Sequence, residues 1–145
     1  MYKALGLLAL GLFSAMGADR PNLNGTWQLD GAATAAETKF KTETLVIHQG
    51  DDDVQITQDR TAKNGKEIKN EIDCNTDGKE CKLKNANVSL WYNGAMLVLV
   101  ETHNDIVTKT RFTSSEDGHT LHLEVIHMGP GGERTENLTF TKQKS

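Results

Sequence analysis

The chain has few cysteines and no clustered metal ligands: Cys74 and Cys81 are its only thiols among 145 residues. A C-x6-C pair alone is poor evidence for a metal site, and the five histidines (His48, His103, His119, His122, His127) form no His-x-x-x-His and no Cys/His cluster. No metal, haem or other cofactor is implied. Nucleophilic catalysis lacks its signature too, since no Gly-x-Ser-x-Gly occurs and both cysteines are accounted for by a disulfide. Helical periodicity is almost absent past the first residues. Long apolar runs are missing as well: Ala4 to Phe13 is too short to span a bilayer and no later segment is longer.

The N-terminal run has its own explanation. Met1-Tyr2-Lys3 supplies a short charged region, Ala4 to Phe13 an apolar stretch, and Ala15 and Gly17 the small residues that suit cleavage before Ala18. Residues 1–17 therefore read as a secretory signal peptide, and residues 18–145 as one domain of 128 residues, secreted or periplasmic. Loss of Lys3 leaves 15 basic residues against 20 acidic, a formal charge of −5, with the basic side chains scattered singly. That balance disfavours nucleic acid as a partner. In an exported chain an even pair of cysteines reads as a disulfide. Asn24, Asn87 and Asn137 open glycosylation sequons, which matter only in a eukaryotic source.

What remains is a series of short runs rich in Val, Ile, Leu and Thr between Gly, Asn and Asp turns, the pattern of an all-β domain. The exception is Gly31 to Thr42, an Ala-rich connection that suits a helical turn or a flap. A one-residue slip moves a whole strand to the wrong face, so each turn can be tested by what it places opposite what. A turn at Asp51-Asp52 pairs Ile47 with Ile56. A three-residue loop ending at Gly65 sets Ile56 against Ile72, and Asp77-Gly78 sets Cys74 against Cys81 and Ile72 against Leu83. Opposed strand residues stand at a distance that a disulfide accepts.

Asn93-Gly94 pairs Leu90 with Leu97 and Val88 with Leu99, and Asn104-Asp105 pairs Leu97 with Phe112 and Leu99 with Thr110. Asp117-Gly118 then sets Phe112 against Leu123, Thr110 against Val125 and Thr108 against His127. Pro130-Gly131 sets Leu123 against Leu138 and His127 against Arg134. The inward face switches from odd to even positions between Leu83 and Val88, which requires a bulge or turn there. The strand count is left at eight or ten, because an antiparallel barrel needs an even number.

The first run of the mature chain carries a family resemblance. Leu23, Gly25, Trp27 and Leu29 share one face at the strand period. Asn24-Gly25-Thr26-Trp27-Gln28-Leu29 near a mature N-terminus, followed by a meander of strands, resembles the calycin superfamily. That group comprises lipocalins, fatty-acid-binding-type barrels and avidin-like barrels, and small bacterial lipocalin-like domains look most similar. The resemblance implies an up-and-down antiparallel meander closed into an 8–10-stranded barrel, with Gly31 to Thr42 as a loop over its mouth. It also implies a late cation, Lys142 or Lys144, over the Trp27 ring. The Arg-x-Tyr clamp that fatty-acid-binding-type barrels often carry on the last strand is replaced here by Leu138 and Phe140.

Closure brings Leu138 and Phe140 of the last strand near Trp27 and makes that end apolar, joined by Leu90, Leu97, Phe112, Leu121 and Leu123; Ile47, Ile56, Leu99 and Val125 complete the expected apolar lining of a ligand site. Glu101, His103, Thr108, Thr110, His127, Arg134 and Glu136 point inward toward the other end. An apolar cup with convergent polar groups is the common form of a small-molecule site. The leading expectation is a monomer that binds a small hydrophobic or amphipathic molecule, with Arg134 and His127 favouring an anionic head. The alternatives are a filled barrel acting as an interaction or inhibitor module, with Val46, Val98, Val100 and Ile126 facing outward, and a lyase or isomerase using Glu101 and His127.

Overall fold

Trp27 is fully buried, and its indole Nε1–H donates to the Leu23 carbonyl at 2.9 Å. The ring thereby fills the closed end of the sheet while its one polar atom is satisfied. In the computed structural model, which describes residues 20–31, 40–83 and 85–144, ten antiparallel strands wrap around this plug. They are β1 (Gly25–Leu29), β2 (Phe40–Gln49), β3 (Asp53–Ala62), β4 (Glu67–Asn75), β5 (Cys81–Lys82), β6 (Asn87–Asn93), β7 (Met96–His103), β8 (Ile106–Ser114), β9 (Thr120–Gly129) and β10 (Gly132–Lys142). Each neighbours the next in sequence, and β10 returns to β1 with Trp27 opposite Lys142 and Leu29 opposite Phe140. The result is an up-and-down, nearly closed barrel. The expected signal peptide, residues 1–17, and most of the Gly31–Thr42 connection lie outside the described residues; Phe40 to Thr42 already belong to β2.

Alternation dictates the interior. In most strands buried residues fall on alternate positions, as in Leu45, Ile47, Val54 and Ile56, so one face of the sheet supplies the core; in β7 the outward Val98 is buried as well. Ile47 stands opposite Ile56, Ile56 opposite Ile72, Leu97 opposite Phe112, Phe112 opposite Leu123, and Leu123 opposite Leu138, as the turn signals require. The β6–β7 hairpin is different. Leu90 pairs with Leu99 and Val88 with Glu101, two residues away from the expected partners. The loop is Gly94-Ala95, with positive φ (58°) at Gly94 alone, the requirement of a II′ turn rather than the I′ turn that Asn-Gly favours. A two-residue shift leaves every side chain on its intended face.

The polarity switch after Leu83 is a tight turn, in which the Leu83 amide donates to the Ala86 carbonyl and returns the chain as β5 and β6. This sets the strand number at ten. The expected ladder between Ile72 and Leu83 does not form: β4 and β5 are the two free edges of the sheet. Cys74 and Cys81 nevertheless form a disulfide with Cα atoms 5.9 Å apart, so covalent linkage replaces backbone pairing at this seam. No helix of the described residues is long and apolar enough to cross a membrane.

Among the described residues the outward positions do not form the exposed apolar patch that an interaction module would need. Val98 is only 2% exposed, flanked on neighbouring strands by Trp91 and Arg111, while Val46, Val100 and Ile126 are half-buried. Among the described residues the exposed large hydrophobic side chain is Ile106, at 48%, on the β7–β8 hairpin.

Candidate ligand-binding site

A cavity of about 170 Å³ opens above the packed end of the barrel. Its base is apolar because inward positions of β2, β3 and β7 to β10 deliver Leu45, Ile56, Leu99, Phe112, Leu123 and Leu138 to its lining. Trp27, Ile47, Leu90 and Leu97 are fully buried and are not among the residues that line this cavity. Their contribution is a solid floor.

Two residues further along the same strands the lining becomes polar. Glu43 stands directly opposite Arg60 in the β2–β3 ladder, and Glu43 is nearly inaccessible, its side chain only 2% exposed. A buried carboxylate is costly unless paired and hydrogen-bonded. Here Arg60 Nε lies 3.3 Å from Glu43 Oε1, and Gln58 Nε2 donates to Glu43 Oε2 at 2.7 Å. The Arg60 guanidinium also covers the Phe40 ring at 4.6 Å, although its Nε–H makes no hydrogen bond among the described residues. From the opposite wall Glu101, Thr108, Thr110 and His127 face the same space. Burial pushes the Glu101 carboxyl above its ordinary pKa, and Arg60 partly opposes that shift.

A second chamber of about 230 Å³ adjoins the first at the open end, sharing Glu43, Arg60, Val125, His127 and Leu138 and adding Phe40, Arg134 and Glu136. Its charges are already matched. Glu136 Oε1 lies 2.7 Å from His127 Nε2 and 3.0 Å from Arg134 Nη1. His127 therefore partners Glu136 rather than Glu101, so the acid/base couple proposed from the sequence is not assembled. Arg134 is half-exposed and bound to its strand neighbour, the weaker of the two arginine arrangements at this end.

Of the residues expected to line a ligand site, Ile56, Leu99, Glu101, Thr108, Thr110, Phe112, Leu123, Val125 and His127 meet at the inner cavity and Arg134 at the outer one. Sequence reasoning missed Glu43, Gln58 and Arg60. The signal was present, because Glu43 continues the inward positions of Leu45 and Ile47, and Gln58 and Arg60 continue those of Val54 and Ile56.

No protein-family model matches the sequence, and no curated protein does. Solved structures do match the fold. The wild-type fluorescent protein UnaG superposes with a TM-score of 0.60 at 15% identity, over 83% of this chain and 97% of that one. Echinococcus granulosus fatty-acid-binding protein 1 gives 0.60 at 10% identity, over 84% and 98%. The zebrafish ileal bile acid-binding protein, in complex with cholic acid, gives 0.57 at 17% identity, over 83% and 98%. The chain is thus similar to several animal barrels over most of its length, and its fold is a calycin-like antiparallel barrel.

Proposed function

We propose that this chain is an exported calycin-like protein that binds one small hydrophobic or amphipathic molecule inside its barrel. The observation that carries the reading is the division of one enclosed space into an apolar base, Leu99, Phe112 and Leu123, and a polar upper wall, Arg60, Glu101, Thr108 and Thr110. Ligand sites are typically apolar hollows with a few fixed polar groups that orient the guest. Barrels of the same fold whose names refer to fatty acid and to bile acid, one of them holding cholic acid, support the same class of ligand. The Leu138 and Phe140 positions argue against simple transfer of a fatty-acid clamp, so the polar end of the guest must be held elsewhere in this barrel.

The reading is tested by titrating the purified mature protein with fatty acids, retinoids, bile acids and haem, followed by tryptophan fluorescence and calorimetry. One or more ligands should saturate at 1:1. Val125→Trp, which fills the space shared by the two chambers, should weaken that ligand at least tenfold while the far-ultraviolet circular dichroism is unchanged. Absence of any saturable response across the panel, or identical affinity in the variant, would reject an internal site.

A further inference from the structure

The barrel wall has one seam. β4 pairs with β3 from Asn75 back to Glu67, yet its other edge carries no ladder, and β5 gives only two pairs to β6. The seam is tied at its lower end by the Cys74–Cys81 disulfide, by the Asp77–Trp91 bridge and by the Gly78 amide donating to the Leu90 carbonyl at 2.9 Å. Further up, His103 Nδ1 meets the Asn85 carbonyl and joins the β5–β6 turn to the end of β7. Between these ties lies a cleft of about 630 Å³, whose lining includes Lys69, Asn70, Glu71, Ile72, Leu83 and Ala86. Gln58, Asn70, Ile72 and Glu101 line both the cleft and the inner cavity, so the two spaces meet at those side chains.

Size and pairing decide what this geometry admits. An apolar cavity of about 150 Å³ accommodates a benzene ring, so an inner chamber of about 170 Å³ takes one ring-sized group and the rest of a larger guest must lie outside it. At the end of the barrel that remainder would meet side chains already engaged with one another: Arg60 with Glu43, and His127 and Arg134 with Glu136. At the seam it meets Glu101, which makes no hydrogen bond or ion pair among the described residues, and the exposed amide of Asn70, whose Nδ2 makes one long hydrogen bond, at 3.5 Å, to Gln58 Oε1 and whose oxygen stays open to a guest. Among the described residues of its lining the one Lys or Arg is Lys69, set against Glu71 and Glu101, and burial favours the neutral form of Glu101. Among those residues an anionic head meets one lysine and two acidic side chains. A neutral group rich in hydroxyls finds both donors and acceptors, with Ile72, Leu83 and Ala86 against its C–H surface.

We propose that the cleft between β4 and the β5–β6 turn is a headgroup subsite: the guest seats a ring-sized apolar group among Leu99, Phe112 and Leu123 and extends an uncharged, hydroxyl-rich headgroup sideways through the wall. This rests on the internal ligand site proposed above. The defining test compares phenyl β-D-glucoside with benzyl alcohol on the oxidised mature protein, by calorimetry and by amide chemical-shift mapping. The glucoside should bind at least tenfold tighter and shift the amides of Asn70, Glu71 and Ala86. Ala86→Trp, which plugs the cleft, should reduce the glucoside to the affinity of benzyl alcohol and leave benzyl alcohol unchanged. Asn70→Ala, at an exposed position, should remove much of the same gain should the bulky variant fold poorly. Benzyl alcohol that saturates with no advantage for the glucoside, or glucoside shifts confined to Arg134 and Glu136, overturns the subsite and leaves the internal site standing. Binding of neither compound overturns the subsite together with this account of the inner chamber.

Discussion

The Lys142 side chain occupies the space that a Cβ on Gly25 would need: an ideal Cβ there stands 2.8 Å from Lys142 Cε. The same side chain carries its ammonium to 5.6 Å from the centroid of the Trp27 ring, so the glycine of the Gly-x-Trp run serves the cation that covers the tryptophan. Gly25 also has φ of 138°, which L side chains rarely adopt. Gly25→Ala should therefore destabilise by about 1–3 kcal/mol, mainly through backbone strain, with a smaller share from displacing the exposed end of Lys142. Lys142→Ala alone should cost less than about 1 kcal/mol, in the range of an exposed cation–π contact. In the double variant the steric part of the glycine penalty should vanish while the φ part persists, so the two changes should be less than additive in urea unfolding. Strict additivity would refute the shared-space account.

Much of this barrel was legible because parity is robust. The two-residue displacement of the β6–β7 hairpin shows why: Leu90 faces Leu99 instead of Leu97, yet all three point inward. The loop choice itself was not legible, since Asn93-Gly94 and Gly94-Ala95 both satisfy a two-residue turn and only packing selects between them. The seam was hidden for a different reason. Asp77-Gly78 predicted the closeness of Cys74 and Cys81, but nothing local reveals that β4 and β5 stay apart above the disulfide. Glu43 and Arg60 were overlooked because a search that follows apolar pairs stops where strands become polar, which is where this site begins.

The Glu43–Arg60 pair offers an asymmetric mutational test. Removing one partner of a fully buried ion pair typically costs about 3–5 kcal/mol, because the other charge is left unpaired. Glu43 is that kind of group, whereas the Arg60 side chain is 30% exposed and Gln58 still donates to the carboxylate. Arg60→Leu should then cost about 2–3 kcal/mol. Glu43→Leu combined with Arg60→Leu should recover most of that loss, because no buried charge remains. Chemical denaturation of the two single variants and the double reads the coupling directly; a double variant as unstable as the sum of the singles would show that the pair is not the source of the cost.

The disulfide should stabilise the seam far more than the rest of the barrel. Cys74 and Cys81 are separated by seven positions, and closing so short a loop in the unfolded chain is worth about 2.5 kcal/mol on the chain-entropy account. Replacing both by serine should lower Tm by roughly 5–10 °C. Hydrogen exchange should locate a further, local change: amides that exchange through global unfolding, such as Gln28 and Thr141 in the β1–β10 ladder, should lose the global free energy only, and the Gly78 amide and the β4 edge more than that. Equal acceleration in every strand, with no extra loss at Gly78 and the β4 edge, would mean that the bridge acts through the unfolded chain alone and does not brace the cleft.

Glu101 should make stability depend on pH in the direction opposite to a salt-bridged carboxylate. Burial raises its folded-state pKa above the ordinary 4.5, so the native protein holds this proton more tightly than the unfolded chain. Below pH 4.5 both states are protonated at this position and the preference is fully present; as pH rises through the higher folded value it is lost, because the native state must then ionise a carboxyl within the wall. Glu101→Gln removes that penalty. The variant should match the wild type in urea unfolding at pH 4 and exceed it at pH 7.5, with the difference developing between the two. Arg60 opposes the shift, so the same comparison in an Arg60→Leu background should show a larger difference at pH 7.5. A Glu101→Gln effect that is constant across the range, or one that reverses sign at high pH, would place the carboxylate in contact with solvent and away from the junction between cavity and cleft.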